Sequence, residues 1–98
     1  MIRRVVKMVF RPEETDTFLS YFESRKERIR GFDGCSHLEL WRDHRDPRIF
    51  FTYSHWDSEA HLDAYRKSEF FDETWRETKA KFAEKAEAWT VDALHQLV

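Results

Sequence analysis

The sequence predicts one α+β domain over residues 1–98, with strands and helices in the order β-α-β-β-α-β. Short runs rich in β-branched and aromatic residues lie near the start, in the middle and near the end of the chain, and amphipathic stretches separate them. A chain of 98 residues has no length for a second domain. This order is the split βαβ, or ferredoxin-like, arrangement, which predicts a four-stranded antiparallel sheet with helices on one face.

The N-terminal third predicts a strand and a long helix. Residues 1–10 are rich in valine and are expected to form the first strand. Pro12, followed by two acidic residues, is typical of a helix start, and Gly31 is the expected C-cap. Residues between them recur at spacings of 4, 3 and 4 and predict the buried face of this helix: Phe18, Phe22, Arg25 and Ile29. Arg25 is the polar exception, and its aliphatic stem is expected to lie along that face.

The middle of the chain predicts a β-hairpin. Cys35–Arg42 and Ile49–Trp56 are strand-like runs on either side of a polar turn. If His37 pairs with His55, one face of the hairpin carries a mixed set: His37, Glu39, Trp41, Phe51, Tyr53 and His55. The other face is more aliphatic and is expected to form a floor for the helices, together with first-strand residues: Leu38, Leu40, Phe50, Thr52, Trp56, Val6, Met8 and Phe10.

The C-terminal third predicts helical segments and a last strand. Asp57 and Ser58 are both good N-caps for a helix over about Ser58–Lys67. Ser68 is a candidate N-cap for a second amphipathic segment, in which Phe71, Trp75 and Phe82 are spaced by 4 and 7 residues. The tail, about Ala86–Val98, is expected to form the last strand.

The composition excludes several classes of protein. The net charge of −2, from 17 basic and 19 acidic residues, provides no strong field for nucleic acid or anionic lipid. A single cysteine excludes an intrachain disulfide framework and a multi-cysteine zinc site. No apolar run is long enough to span a membrane, and the N-terminal segment does not resemble a signal peptide. We therefore expect a cytoplasmic protein with no nucleic-acid or membrane partner.

The mixed face of the hairpin predicts a homodimer. It is too aromatic to lie openly in water and too polar for a dry core, and a large half-apolar patch usually marks an interface. Covering it with a second copy of the chain would bury the aromatic rings. His37, Trp41, Tyr53 and His55 are expected in or near this interface.

Three ordered segments resemble the antibiotic biosynthesis monooxygenase family. Gly31–Cys35 and the following His37–Leu40 are similar to its "pGc…yeL" segment. His55–Ala60 resembles its "W-x-s-x-e-A" segment, and Ala64–Tyr65 with Ser68–Phe71 resembles the "a-H…s-x-h-F" helix that follows. No single motif is specific, but the set recurs in order and with matching lengths. The resemblance implies a dimeric α+β barrel, in which two ferredoxin-like units pack sheet to sheet and each has a pocket between sheet and helices.

The family includes cofactor-free oxygenases of quinols and polyketides, and this route is the one the chain is expected to follow. In it the substrate, as a phenolate or enolate, reduces dioxygen itself. The protein supplies an apolar cavity, a group that deprotonates the substrate and a donor that stabilises the anion. The resemblance gives two candidate catalytic residues: Trp56 corresponds to a recurrent tryptophan, and Tyr65 replaces the usual histidine. With a pKa near 10, a tyrosine is a poor base at neutral pH.

The haem-degrading branch of the family has a ligand set that this sequence lacks. Its pocket asparagine corresponds to Val6, its tryptophan to Tyr65 and its axial histidine to Trp75. Val6 cannot donate a hydrogen bond, and Trp75 has no lone pair for iron. His61, one helical turn before Tyr65, is the remaining candidate ligand and a weaker one. No haem or other cofactor is therefore expected.

These considerations predict a pocket for a small apolar or aromatic molecule, lined by Val6, Phe22, Thr52, Trp56, His61, Tyr65, Phe71 and Trp75. Plain core packing is the alternative for its aromatic residues. A non-catalytic ligand-binding or structural protein, and an isomerase or mutarotase on the same barrel, are the alternative functions. The clustered acid–base candidates for an isomerase, His37, Glu39 and His55, are expected on the wrong face. They also resemble a metal constellation, but no motif supports one and no metal site is predicted.

Overall fold

The structure, a computed structural model, describes residues 1–98 and consists of a four-stranded antiparallel sheet with helices on one face. The elements in chain order are β1 (Ile2–Phe10), a 3-10 turn (Pro12–Glu14), α1 (Thr15–Arg30), β2 (Cys35–Arg42), β3 (Ile49–Trp56), α2 (Glu59–Arg66), α3 (Glu69–Lys79) and β4 (Phe82–Val91). The strands lie in the order β2-β3-β1-β4. The predicted ferredoxin-like α+β fold is confirmed, with the second helical layer divided into α2 and α3.

The helix boundaries follow local capping chemistry. Pro12 opens the 3-10 turn that leads into α1, and the backbone N–H of Gly31 donates to the Glu27 carbonyl at the other end. The side chains of Ser58 and Ser68 accept hydrogen bonds from the backbone N–H groups of His61 and Phe71, respectively. Each serine satisfies one of the donors that a helix N-terminus leaves free. The second serine therefore begins a new helix where a continuous one would otherwise form.

The hairpin has the predicted register. His37 lies opposite His55, Glu39 opposite Tyr53 and Trp41 opposite Phe51. Because directly opposed residues in an antiparallel pair share a face, the mixed set lies together on the outer face of the sheet, away from the helices. We call these six residues the outer face: His37, Glu39, Trp41, Phe51, Tyr53 and His55.

The prediction for the last strand is wrong at both ends. Phe82 lies in β4 and not on the preceding helix, because Arg11 draws this segment alongside β1: its backbone N–H donates to the Lys81 carbonyl, and its guanidinium donates to the Phe82 carbonyl. The strand ends at Val91 and does not reach Val98. Val91 already pairs with Arg3, near the start of β1, so the residues after it have no strand to pair with.

The core consists of two clusters between the sheet and the helices. One contains Met8, Phe10, Phe18 and Phe50, whose aromatic rings pack with centroids 4.2–5.5 Å apart. The other contains Ile29, Cys35, Trp56, Leu62 and Tyr65. Each cluster packs against Phe22, so this side chain lies between them. No helix is both long enough and apolar enough to cross a membrane.

Candidate functional site

A cavity of about 250 Å³ lies between the sheet and the helices. Its floor comes from all four strands, and its roof from all three helices. Of the 19 residues that line it, 13 are hydrophobic. Pockets for small molecules are mostly apolar with a few polar groups that orient the ligand, and this wall has that composition.

The structure brings together seven of the eight residues predicted for the pocket: Val6, Phe22, Thr52, Trp56, Tyr65, Phe71 and Trp75. Val6 and Thr52 are directly paired across β1 and β3 and lie on the floor. The rings of Phe71 and Trp75 stack at 6.0 Å on α3. These side chains surround a space between the sheet and the helices, and Trp56 and Tyr65 also belong to a core cluster.

His61 is the predicted residue that does not line the cavity. Its Nδ1 lies 2.7 Å from the Ser58 hydroxyl, and its Nε2 lies 3.8 Å from the Asp33 carboxylate. The ring packs closely against Gly34 in the loop before β2. Placement in the first turn of α2, beside the capping serine, turns this histidine toward the loop. Its role is therefore to hold the loop against the helix.

Trp56 forms part of the wall, but its polar group is already satisfied. The residue is 1% exposed, and its indole N–H donates to the Ser54 hydroxyl at 3.0 Å. Its ring stacks on Tyr65 with centroids 4.9 Å apart. A donor that is engaged inside the protein is not free for a ligand, so Trp56 offers an aromatic surface and not a hydrogen bond.

Tyr65 has a hydroxyl with no hydrogen-bond partner in the protein. Its ring is fixed by the stack on Trp56 and by edge contacts with Phe32 and Phe71 at 5.1 and 5.0 Å. Burial, with a smaller contribution from Cys35, raises the pKa of the Tyr65 phenol above its ordinary value. The phenol therefore stays protonated at neutral pH, and its chemistry is that of a hydrogen-bond donor and not of a base.

Five polar residues of the wall lie outside the set predicted from the sequence: Arg4, Ser54, Arg66, Thr74 and Thr78. The Thr74 hydroxyl is buried without a partner. Arg4 donates from Nη1 to the Thr90 hydroxyl at 2.9 Å. Burial, followed by the like charge of Arg66, lowers the pKa of Arg4, while Asp63 opposes the shift. Both guanidinium groups remain cationic at neutral pH, because arginine does not deprotonate in this range.

The outer face holds the acid–base side chains that the cavity lacks. His37 hydrogen-bonds to Glu39, which also accepts from the Trp41 indole at 2.8 Å. The Tyr53 hydroxyl accepts from Arg3 at 2.8 Å and lies 2.9 Å from Nε2 of His55. No group of three His, Cys, Asp or Glu side chains converges in a way that could hold a metal ion.

Comparison with known families identifies the chain. A model of the antibiotic biosynthesis monooxygenase family matches residues 1–78. The chain belongs to this family. Its structure is similar to that of an antibiotic biosynthesis monooxygenase, with a TM-score of 0.90 and 23% identity over 97% of this chain and 100% of that one. It is also similar to a conserved protein from Methanosarcina mazei Go1, with a TM-score of 0.86 and 24% identity over 91% of this chain and 88% of that one. A Mycobacterium tuberculosis protein gives a TM-score of 0.87 and 14% identity over 99% of this chain and 98% of that one.

These likenesses to solved structures establish the fold of the antibiotic biosynthesis monooxygenase family and no particular activity. Comparison with curated proteins gives no significant match. The family match covers β1 to α3 and ends before β4, which contributes Ala86 and Ala88 to the cavity wall.

The cavity does not fit haem as the haem-degrading branch of the antibiotic biosynthesis monooxygenase family binds it. Val6 and Trp75 occupy the wall where that branch is expected to have an asparagine and an axial histidine. No histidine, cysteine or carboxylate side chain lines the cavity, and His61 points away from it. The wall therefore lacks the imidazole ligand that this branch requires.

Proposed function

We propose that the protein is a cofactor-independent monooxygenase that acts on a small phenol- or quinol-type aromatic substrate in the cavity between sheet and helices. The observation that carries this proposal is the unpartnered, protonated hydroxyl of Tyr65 in a largely apolar wall. It supplies the donor that the chemistry requires. A ligand oxygen that accepts from this hydroxyl gains a hydrogen bond that the protein itself does not supply.

The size of the cavity supports a substrate of one or two rings. Its volume of about 250 Å³ exceeds the ~150 Å³ of an engineered apolar cavity that binds benzene. It lies below the roughly 300–1,000 Å³ typical of pockets for drug-sized ligands. The rings of Trp56, Phe71 and Trp75 provide faces and edges on which a flat aromatic molecule packs favourably.

The proposed reaction needs no external reductant. The substrate binds as a phenolate or enolate, and Tyr65 donates a charge-assisted hydrogen bond to its anionic oxygen. The substrate supplies all four electrons that reduce dioxygen. One oxygen atom enters the product as a carbonyl oxygen, and the other leaves as water with the two hydrogens that the substrate loses. The apolar wall keeps bulk water from the reactive intermediates.

We propose further that the protein acts as a homodimer joined through the outer face. Trp41 on this face is 40% exposed, and Trp89 and Val91 on β4 are 46% and 40% exposed. Exposed aromatic residues beside polar groups are typical of subunit interfaces. The sheet-to-sheet packing of two copies is the arrangement that the family resemblance implies.

Removing two different tyrosine hydroxyls tests the catalytic proposal. Tyr65 lines the cavity, whereas Tyr21 carries a buried phenol without a partner on α1, outside the cavity. Oxygen consumption with small anthrones and quinols is measured for Tyr65→Phe and for the matched control Tyr21→Phe. Loss of one hydrogen bond to an anion is worth ~1.5–3 kcal/mol, so we expect a fall of about 10- to 100-fold for Tyr65→Phe. Equal rates for both variants would contradict the role of Tyr65.

Non-catalytic binding of the same ligands is the second candidate function. It is favoured by one observation: the wall contains no carboxylate or imidazole to serve as a general base. Saturable binding of quinols without oxygen consumption would support it. The isomerase alternative lacks support, because His37, Glu39 and His55 lie on the outer face and not at the cavity.

A further inference from the structure

Two arginines in the cavity wall lack a carboxylate partner. Arg4 comes from β1 and Arg66 from the last turn of α2, and neither forms a salt bridge. Four other arginines of the chain are paired with acidic side chains: Arg11, Arg25, Arg48 and Arg76. The two cationic groups at the cavity have no acidic side chain within salt-bridge distance, and the same is true of five arginines elsewhere: Arg3, Arg28, Arg30, Arg42 and Arg45.

The cavity wall provides no compensating negative charge. None of its 19 residues is acidic, and Asp63, whose charge acts on Arg4, does not line it. The two guanidinium groups are close enough for the charge of Arg66 to act on Arg4. Like charges beside an apolar space repel more strongly than in water, because the surroundings are less polarisable. An anion bound in the cavity beside the two guanidinium groups would relieve that repulsion.

The donors that remain on these arginines suit a carboxylate. Arg4 uses Nη1 for the Thr90 hydroxyl, and no side-chain hydrogen bond engages Arg66. A guanidinium presents its N–H groups as a planar fork, which matches the two oxygens of a carboxylate. The apolar remainder of the cavity accepts the ring to which such a group is attached.

We propose that the cavity selects aromatic acids, with the ring between Trp56 and Trp75 and an attached carboxylate on Arg4 and Arg66. This inference rests on the proposed function only in taking the cavity as the substrate site. The same two arginines offer a way to ionise the substrate, although the wall has no carboxylate or imidazole to act as a general base. Two nearby cations favour the ionised form of a bound phenol, so the substrate can lose its proton to solvent without a basic side chain in the wall.

Calorimetric titration with a matched pair of ligands tests the inference. Naphthalene-2-carboxylate and naphthalene-2-carboxamide have nearly the same shape, but only the first is charged. At low ionic strength and pH 7.5, we expect the carboxylate to bind at least about tenfold more tightly than the amide. This preference should decrease with added salt, because part of the site is open to solvent at Arg66, which is exposed.

Variants at Arg66 show whether the preference comes from this side chain. Arg66→Gln should remove most of the difference between the two ligands, and Arg66→Lys should retain part of it. Arg45→Gln, an exposed arginine in the β2–β3 turn outside the cavity, makes the same change in net charge and should leave the preference intact. Arg66 is exposed, so its replacement is compatible with folding, and Arg4→Gln provides a second measurement from β1.

Each other result has a defined meaning. Equal binding of the two ligands by the parent protein would overturn the carboxylate preference and leave the proposed oxygenase intact. If neither ligand binds, the cavity is not a site for aromatic molecules, and the inference and the proposed function both fail. If Arg66→Gln weakens both ligands equally, its role is to shape the cavity, and the inference is overturned. If Arg45→Gln abolishes the preference as well, the preference for the carboxylate comes from the net charge of the protein and not from Arg4 and Arg66, and the inference is overturned.

Discussion

Two polar groups of the cavity wall, the Trp56 indole and the Tyr65 phenol, differ in whether the protein supplies a partner. Trp56 donates to Ser54 within the same strand, since residues two apart in a strand share a face. The Tyr65 hydroxyl has no such neighbour within reach. The indole is therefore a structural group, whereas the phenol is available to a ligand.

Replacing Ser54 by alanine tests the structural role of the indole. The Trp56 N–H would remain buried without an acceptor, so we expect Ser54→Ala to lower the free energy of unfolding by about 1–3 kcal/mol. Urea denaturation at a fixed protein concentration measures the loss. Ser24→Ala is the control, because the Ser24 hydroxyl bonds to the Tyr21 carbonyl on the exposed surface of α1, and we expect a change below about 0.5 kcal/mol. Equal stability of the parent and Ser54→Ala would show that the indole finds another acceptor.

The pKa of His55 predicts a dependence of stability on pH. Burial, then the positive charges of Arg3 and His37, lowers the pKa of His55 below its ordinary 6.5, and Glu39 opposes the shift only weakly. The unfolded chain therefore takes up a proton at this residue at a higher pH than the folded one does. As the pH falls through about 6.5, the free energy of unfolding should decrease.

Unfolding measured between pH 8 and pH 5 tests this sign. The decrease should be smaller in His55→Gln, which cannot gain the charge. His44→Gln alters an exposed histidine of the β2–β3 turn and should follow the parent. A free energy of unfolding that rises on acidification, or one that His55→Gln leaves equally steep, would contradict the assignment.

The pocket residues show which parts of a site a sequence can predict. Val6 and Thr52 were predicted because strand alternation places them on the apolar face. The same alternation places Arg4 on the cavity face beside Val6. Arg66 and Thr74 have no such signal, since their position at the cavity depends on how α2 and α3 are oriented on the sheet. Sequence spacing does not determine that orientation.

At the scale of elements, the loop before β2 meets the first turn of α2 at Gly34. This residue has a φ of +88°, and a Cβ added to it would lie 2.4 Å from the Cβ and Cγ atoms of His61. The Asp57 N–H also donates to the Gly34 carbonyl at 2.8 Å. Glycine is therefore required both by the left-handed backbone and by the close approach of the helix.

Gly34→Ala should be strongly destabilising. The left-handed conformation costs about 1–2 kcal/mol for a residue with a Cβ, and overpacking against His61 adds about 1–3 kcal/mol. Gly31→Ala is the matched control. Its φ is −83°, and its Cβ would meet only the Glu27 carbonyl oxygen at 3.1 Å. Thermal and urea unfolding of both variants should show a much larger loss for Gly34→Ala, and similar losses would mean that the loop adapts to a side chain.

The hairpin and the last strand show how far the fold could be predicted. Alternation divides the hairpin residues into a mixed set and an aliphatic set, but the pairing of His37 with His55 was an assumption, and the structure has that pairing. Phe82 was assigned to a helix because its spacing from Trp75 fits two turns. Its ring does lie 5.6 Å from Trp75, but it reaches that contact from β4. A helical spacing cannot distinguish this tertiary contact from a helix that continues.

At the scale of the whole molecule, the outer face predicts the state of association. We expect sedimentation at micromolar concentration to give twice the 12.0 kDa mass of the chain. Trp41→Arg places a charge on the outer face and should shift the protein toward monomer. Glu27→Arg changes an exposed residue of α1, on the helical side of the sheet, and should leave the association state unchanged. A parent protein that sediments as a monomer would contradict the proposed dimer.

Strand β1 separates the two surfaces on which the proposals depend. Arg4, Val6 and Met8 face the cavity, while Arg3 pairs with His55 and Val5 with Tyr53 on the opposite side. Inserting a single residue before Arg4 would exchange these surfaces, whereas replacing a side chain alters one of them alone. Over evolutionary time, ligand preference can therefore diverge by substitution at positions 4 and 6 without changing the outer face. The spacing along the strand, in contrast, has to be preserved for either surface to exist.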